Sequence, residues 1–216
     1  FDIIALSAFF GALALVLAAL LLLRLGREFA PWASASRALE GLALAGALVI
    51  GATQQLAFQA TIAKGGIYTL NLCLSFAVML AALSARDELL QAPKGAAIPR
   101  VVWRDLSLGA LAFGLGLANH WTSQVLLGPV VCILLAEPLW LRRPTWSLRD
   151  TRLAAATVAL ILLGLALYAY LPIRARLGAP LIWGPADNLK SLLWVFSRSQ
   201  YAGVEANKTL AQFGVL

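Results

Sequence analysis

Long apolar stretches follow one another along almost the whole chain, and they constrain its fold more than any other feature. The stretches run approximately over residues 3–23, 39–57, 67–83, 106–118, 125–141 and 153–170. Of the 216 residues, 61% are hydrophobic and only 12% are charged, with a mean hydropathy of +0.83. Because so few charged residues cannot form the polar surface of a soluble domain, we predict an all-α integral membrane protein with about six transmembrane helices.

Several classes of site and partner are disfavoured by the residues themselves. Cys73 and Cys132 lie in separate apolar stretches without metal-type spacing, and His120 is the single histidine. The sequence contains no HExxH, no GKS/T phosphate loop and no GxGxxG. The net charge of +7 is dispersed between the apolar stretches, whereas a nucleic-acid surface needs a concentrated basic stripe. No nucleic-acid partner is therefore expected.

The placement of the basic residues predicts the topology. Alternate loops at residues 24–40, 84–105 and 142–152 hold eleven of the 17 Lys and Arg residues, and the short loops between them hold only Lys64. By the positive-inside rule the basic loops face the cytoplasm, so the amino terminus and the C-terminal segment are non-cytoplasmic. We divide the chain into a transmembrane helical bundle, 1–171, and a non-cytoplasmic juxtamembrane segment, 172–216.

The fourth and fifth apolar stretches are shorter than the roughly 20 residues that a full membrane span needs. We predict that residues 119–124 form a recessed turn between them, and that Pro129 and Pro138 make the helices irregular. Irregular backbone is tolerated at membrane depth where protein or a wet cavity satisfies the freed polar groups. The sequence therefore predicts a cavity that opens on the non-cytoplasmic side.

Polar residues near the predicted outer ends of the helices are the candidates for a site. Tyr68 and Asn71 are three residues apart and share one helix face, as do Gln55 and Gln59 at four apart. These pairs either line a cavity or hold helices together by interhelical hydrogen bonds. His120 either binds a phosphate or a sugar hydroxyl, or carries a proton, or is an interfacial histidine beside Trp121.

Arg174 and Arg176 lie in YLPIRARLGAPLIWGP, on the side of the membrane where arginine is normally scarce. Pro172 and Pro180 are expected to hold this segment away from regular helix. Guanidinium groups fixed near a membrane suit a phosphate, which they bind bidentately. The alternative is contact with lipid headgroups or with an acidic loop of a partner.

Several motifs resemble a known family. YLPIRARLGAPLIWGPADNLKSLLWVFSRSQY is similar to that family's YLPIRA, proline-rich turn, NWG-P and distal QY. GLGLANHWT is similar to its GLxxxNH turn, IYTLN to its VYxLN, and LSAFFGALA to its second membrane helix. The family comprises bacterial multi-span proteins related to the animal transmembrane O-mannosyltransferase, a branch of the GT-C glycosyltransferases, and the chain is expected to lack the N-terminal part of the family domain.

The resemblance implies a GT-C-like helical bundle in the bacterial cytoplasmic membrane. It implies transfer of a hexose, typically mannose, from a polyprenyl-phosphate donor to a hydroxyl acceptor on the non-cytoplasmic face, with inversion. No cofactor is certain from the resemblance, and a divalent metal at the phosphate is left open. The expected substrate-binding residues, with Arg176 added from the argument above, are Tyr68, Asn71, Asn119, His120, Arg174, Arg176, Trp183, Gln200 and Tyr201.

The chain also departs from the family pattern. The expected catalytic carboxylate belongs to a loop upstream of Phe1, Gly66 stands where many relatives have glutamate, and Ile182 replaces the asparagine of NWG. Two other functions therefore stay open. One is an inactive accessory subunit of a larger respiratory or photosynthetic membrane complex, with partner membrane proteins, and the other is a transporter of anionic lipid.

Overall fold

The computed structural model describes residues 3–33, 36–62, 65–178, 186–197 and 199. The chain divides into two compact units, Phe1–Leu165 and Ala166–Leu216. The described residues form helices and turns, with one isolated bridge between Ala97 and Thr145. The predicted all-α class is therefore confirmed for the part of the chain that the structure describes.

Seven α-helices make up the described part of the first unit. They are α1 Ile3–Phe29, α2 Arg37–Ala52, α3 Gln54–Thr61, α4 Gly66–Gln91, α5 Arg100–Gln124, α6 Leu127–Arg142 and α7 Leu148–Leu165. A short 3-10 helix, Pro31–Ala33, follows α1. The second unit has a 3-10 helix, Ala166–Ala169, and two short helices, α8 Tyr170–Arg176 and α9 Leu189–Phe196.

Four helices of the described chain are long and apolar enough to cross a membrane. These are α1, α4, α5 and the stretch Leu148–Arg176, and the bent pair α2 and α3 gives a fifth if it is one span. Helix α6 has only 16 residues, fewer than the roughly 20 of a full span. The integral-membrane class is thus supported, and the count of six stays a prediction.

The second apolar stretch folds as two helices with a bend of 66° between them. Thr53 at the junction has an extended backbone, with φ −60° and ψ 137°. Its hydroxyl donates to the carbonyl of Ile50 at 2.7 Å and accepts from the amide of Leu56 at 3.4 Å. One side chain therefore caps the end of α2 and the start of α3, which satisfies backbone groups that the bend frees.

Contacts between helices set their relative directions. Helices α1 and α4 run parallel, because the thiol of Cys73 donates to Phe10 at 3.0 Å near their starts and Arg24 pairs with Asp87 at 2.7 Å near their ends. Helix α5 returns antiparallel to α4, and α7 runs parallel to α5. The bundle thus has two ends, which we name the His120 end and the Arg86 end after the residues found there.

The Arg86 end contains an apolar core and a network of ion pairs. Ala85, Leu89, Ile98, Val102 and Trp103 form one buried cluster. Arg86 pairs with Glu28 of α1 at 2.7 Å and with Glu137 of α6 at 3.1 Å. Because Glu137 is near the end of α6, that helix also runs from the His120 end to the Arg86 end.

Large apolar side chains cover much of the outer surface. On α1 alone, Ile3 and Phe9 are each 60% exposed and Val16 is 56% exposed. Helices whose outer faces are this apolar are stable where the surrounding solvent is lipid. The structure and the composition therefore both indicate that lipid surrounds the protein.

Candidate polar site at the His120 end

The end of α5 differs from the sequence prediction. Residues 119–124 were expected to form a recessed turn, and this was wrong, because α5 continues to Gln124 and the turn lies at Val125 and Leu126. The helix is instead kinked at His120, whose backbone is extended with φ −154° and ψ 79°. The amide of Val125 still donates to the carbonyl of Trp121 at 2.9 Å, so helical bonding resumes after the kink.

The kink folds the last turn of α5 back along the helix. Gly116 and Gln124 are eight residues apart, which places them about 12 Å apart in a straight helix. Here a Cβ at Gly116 would lie 2.6 Å from Nε2 of Gln124, so a larger residue at that position would displace the Gln124 side chain. Gln124 is fully buried, and its Oε1 lies 3.0 Å from the hydroxyl of Ser75 on α4.

Four of the predicted substrate-binding residues meet at this kink. The rings of Tyr68 and His120 lie 5.6 Å apart between centroids, at an angle of 52°. Asn71 donates from Nδ2 to the hydroxyl of Ser123 at 2.8 Å. Asn119 donates from Nδ2 to the carbonyl of Ile67 at 2.6 Å. The structure therefore brings Tyr68, Asn71, Asn119 and His120 into one group, which we call the His120 cluster.

Two hydroxyl residues of this group were missed by the sequence reasoning. Ser123 lies 3.0 Å from Nδ1 of His120, and Thr122 lies 3.2 Å from the same nitrogen. Both belong to HWTSQ, directly after the NH pair. The sequence gives no sign of their role, because residues 119–124 resemble a turn, whereas in the structure residues 121–124 form the last turn of a kinked helix.

The His120 end carries no described charge in the first unit. All described carboxylates and cations of that unit lie toward the Arg86 end, beyond the apolar middle of the helices. The carboxylates are Glu28, Glu40, Asp87, Glu88, Asp105, Glu137 and Asp150. The His120 cluster consists of amide, hydroxyl, phenol and imidazole groups. Such groups exchange hydrogen bonds with hydroxyls.

Arg174 and Arg176 belong to the second unit, within α8. The expectation that their segment avoids regular helix was wrong, because Pro172 lies in the first turn of α8, where proline is tolerated. Residues two apart on a helix do not share a face. Arg174 is half-buried and Arg176 is exposed, so the two guanidinium groups are not equivalent. Trp183, Gln200 and Tyr201 lie outside the described residues.

Metal and cavity predictions stay untested at this end. Among the described residues, no group of three or more His, Cys, Asp or Glu residues is placed to hold a metal ion. A cavity of about 220 Å³ lies between α4, α5, α6 and α7, lined by residues such as Ala110 and Phe113. Another, of about 770 Å³, lies between α1 and α4 at Arg24 and Arg86. Neither is lined by the His120 cluster.

These features define a class: a polytopic helical membrane protein with its described charges at one end of the bundle and a neutral hydrogen-bonding cluster at the other. Residues 1–140 match the sequence model of the Protein O-mannosyl-transferase TMEM260 N-terminal domain. That match covers more than half of the chain, and the chain belongs to this family. It includes the whole His120 cluster and does not include Arg174 or Arg176. No curated protein and no solved structure matches the chain.

Family membership confirms the relation to O-mannosyltransferases that the motifs predicted. It suggests a glycosyltransferase-like function. The bacterial origin, the GT-C superfamily and the sidedness of the termini stay predictions.

Proposed function

We propose that this protein takes part in transferring a hexose, with mannose the first candidate, from a polyprenyl-phosphate donor to a hydroxyl acceptor at the non-cytoplasmic face. In this proposal the His120 cluster binds neutral hydroxyl groups of the sugar or the acceptor. The observation that carries the proposal is the meeting of Tyr68, Asn71, Asn119 and His120 at one kink, inside the region that matches the family.

The proposed transfer requires charged groups and neutral groups in different roles. The acceptor oxygen forms a bond to the anomeric carbon while the bond from that carbon to the phosphate oxygen breaks. The polyprenyl phosphate leaves with the electron pair, and the hydroxyl proton passes to a carboxylate base, which the proposal takes from the resemblance. A cation stabilises the departing phosphate, and Arg174 is our candidate for that role.

The neutral His120 cluster fits the part of the reaction that involves no charge. Hydrogen bonds from amides, a phenol and an imidazole position hydroxyl groups with defined geometry. Correct positioning of the reacting groups supplies a large share of enzymatic rate enhancement. We therefore expect loss of a cluster side chain to lower transfer without unfolding the bundle.

The test is transfer of labelled mannose in proteoliposomes that contain the full chain, mannosyl-phosphoryl-polyprenol and a serine- and threonine-rich peptide. We expect His120→Ala and Asn71→Ala to lower the rate of peptide labelling about tenfold or more, the effect of losing one strong positioning contact. Ser107→Ala is the matched control, because Ser107 is on α5 and bonds Thr157 at 3.2 Å, toward the Arg86 end.

Two results would argue against the proposal. One is the absence of transfer from both mannosyl and glucosyl donors by the folded wild-type protein. The other is equal loss of activity in the His120, Asn71 and Ser107 variants, which would indicate a general effect on folding.

A second candidate is an accessory subunit of a larger membrane complex, and the surface of the last span favours it. Only 6% of the apolar window of Leu148–Arg176 is buried. A span this exposed is available to lipid or to a partner helix. Copurification of a second membrane protein in fixed stoichiometry, retained after exchange of a mild detergent, would support this role.

A further inference from the structure

The cavity of about 770 Å³ between α1 and α4 has an amphipathic lining. Three leucines line the part nearer the middle of the bundle, and charged side chains line most of the part at the Arg86 end. The leucines are Leu20, Leu23 and Leu80, and the cations are Arg24, Arg27 and Arg86. The cavity therefore suits a molecule with an apolar part and a negatively charged part.

The cavity opens on the outside of the bundle. Leu20 is 49% exposed, and Arg27 is also exposed. The two residues are seven apart on α1, so they share a helix face and lie about 10 Å apart along it. Because the outer face of α1 is apolar, a ligand reaches this cavity directly from the surrounding lipid.

The two carboxylates of the cavity are each bound by an arginine. Glu28 pairs with Arg86 at 2.7 Å, and Asp87 pairs with Arg24 at 2.7 Å. Arg86 is engaged a second time, by Glu137 of α6 at 3.1 Å. Arg86 is therefore committed to holding three helices together, and the other two arginines are the candidates to bind a ligand.

Arg24 and Arg27 are neighbours on one face of α1, three residues apart. Among the described residues, Arg27 takes part in no ion pair. A guanidinium carries five N–H donors, so Arg24 keeps further donors after its bond with Asp87. Two neighbouring guanidinium groups bind the oxygens of a phosphate with charge-assisted hydrogen bonds.

Exposed tryptophans mark the Arg86 end as the level of lipid head groups. Trp32, directly after α1, is 85% exposed, and Trp140, near the end of α6, is 69% exposed. Tryptophan is enriched where a membrane meets water. The described residues of the first unit hold eleven Lys and Arg residues against seven carboxylates, all toward this end, so the end attracts anionic lipid.

We propose that this cavity binds an anionic phospholipid of the surrounding bilayer, with the lipid phosphate on Arg24 and Arg27. One acyl chain then lies along Leu20, Leu23 and Leu80. Free phosphate would leave the leucine part of the cavity empty, and a zwitterionic lipid brings its own cation. Binding there does not depend on the proposed function, because the cavity is separate from the His120 cluster.

A lipid that contacts both α1 and α4 in the folded bundle stabilises that bundle. The experiment titrates the lipid-depleted full chain, in micelles of a non-ionic detergent, with phosphatidylglycerol, phosphatidylcholine or inorganic phosphate. Salt at about 0.15 M screens charges more than about 8 Å apart. The thermal unfolding midpoint gives the apparent affinity, and native mass spectrometry counts bound lipid. We expect only phosphatidylglycerol to raise the midpoint, with one lipid retained.

Arg27→Gln should weaken phosphatidylglycerol binding about tenfold, the loss of one charge-assisted bond, and leave the midpoint without lipid unchanged. Arg152→Gln is the matched control, because Arg152 is an exposed arginine of α7 at the same end that does not line the cavity. It should change the affinity less than twofold. Equal weakening by the two substitutions would overturn the proposal in favour of general attraction to the basic end.

Leu20→Trp tests the apolar part, because it partly fills the cavity without changing its charge. It should weaken phosphatidylglycerol binding several-fold, whereas Leu42→Trp, at a 69% exposed position of α2 outside the cavity, should not. Unchanged affinity in folded Leu20→Trp would contradict the proposal, as would a midpoint shift by phosphatidylcholine or phosphate equal to that by phosphatidylglycerol. If Arg27→Gln does not fold, the two leucine variants decide the question.

Discussion

Gly114 of α5 packs directly against Gly164 of α7, backbone to backbone. A Cβ at Gly164 would lie 2.5 Å from the amide nitrogen of Leu115, and one at Gly114 would lie 2.9 Å from Cα of Ile161. Membrane helices that approach this closely rely on small residues, because apolar side chains gain nothing from leaving lipid. This contact holds α5 beside α7 within two turns of His120.

We predict that Gly114→Ala and Gly164→Ala each destabilise the bundle by about 1–3 kcal/mol, the usual cost of overpacking a tight contact. The measurement is the thermal unfolding midpoint in detergent micelles. Gly41→Ala is the control, because a Cβ at that position of α2 has nothing within 4 Å, and alanine favours helix there. A midpoint for Gly114→Ala equal to that of Gly41→Ala would contradict the packing described.

The sequence predicted the site correctly where the helical repeat alone determines which residues are neighbours. Tyr68 and Asn71 share a face of α4 because they are three residues apart, and the NH pair was recognised as a separate motif. The prediction failed where a break in the helix determines the course of the backbone. The kink at His120 and the bend at Thr53 are set by local capping and by neighbours distant in sequence, which hydropathy does not report.

The same limit explains why Ser123 and Gln124 were missed. Both reach α4 only because the last turn of α5 folds back over Gly116. A single sequence shows a glycine and a glutamine eight residues apart, with no sign that they touch. For Arg174 the opposite error occurred, since Pro172 was interpreted as a helix breaker although the first turn of a helix accepts proline.

The second prediction concerns Arg86, which joins three helices. Its side chain is only 15% exposed and pairs with Glu28 of α1 and Glu137 of α6, which are 38% and 56% exposed. We expect Arg86→Gln to destabilise the bundle by about 1–2 kcal/mol, less than a fully buried pair because water screens the two carboxylates. Thermal unfolding at low salt measures the loss.

Arg27→Gln is the matched control for Arg86. Arg27 lines the same cavity between α1 and α4, and among the described residues its side chain makes no ion pair. Its substitution should leave the unfolding midpoint unchanged. If both variants lowered the unfolding midpoint equally, the stability would depend on the positive charge at this end and not on the particular ion pairs of Arg86.

The third prediction concerns the bond that joins the starts of α5 and α7. Trp103 donates from Nε1 to Oδ1 of Asp150 at 2.9 Å, while the amide of Ser147 donates to Oδ2 at 2.9 Å. Trp103→Phe keeps the apolar ring and leaves the buried carboxylate short of one donor, which is costly. We expect the unfolding midpoint to fall by several degrees.

A double-mutant cycle with Asp150→Ala isolates this bond, because alanine removes the oxygen that accepts from Trp103. Once the carboxylate is gone, Trp103→Phe should cost less than it does in the wild type, because part of its effect is loss of that bond. Trp140→Phe serves as the control, since Trp140 is 69% exposed. Strict additivity of the two substitutions would mean that Trp103 contributes through packing alone.

The last prediction separates the two arginines of α8. Because Arg174 is half-buried and Arg176 is exposed on a different face, only Arg174 is expected to hold the donor phosphate. In the transfer assay Arg174→Ala should raise the apparent KM for mannosyl-phosphoryl-polyprenol roughly tenfold, the loss of one charge-assisted bond, and Arg176→Ala should change it less than twofold. Arg174→Lys keeps the charge but loses the bidentate guanidinium group, so its apparent KM should lie between those of the two alanine variants.

Equal effects of the two alanine substitutions on the apparent KM would instead indicate general attraction between α8 and anionic lipid.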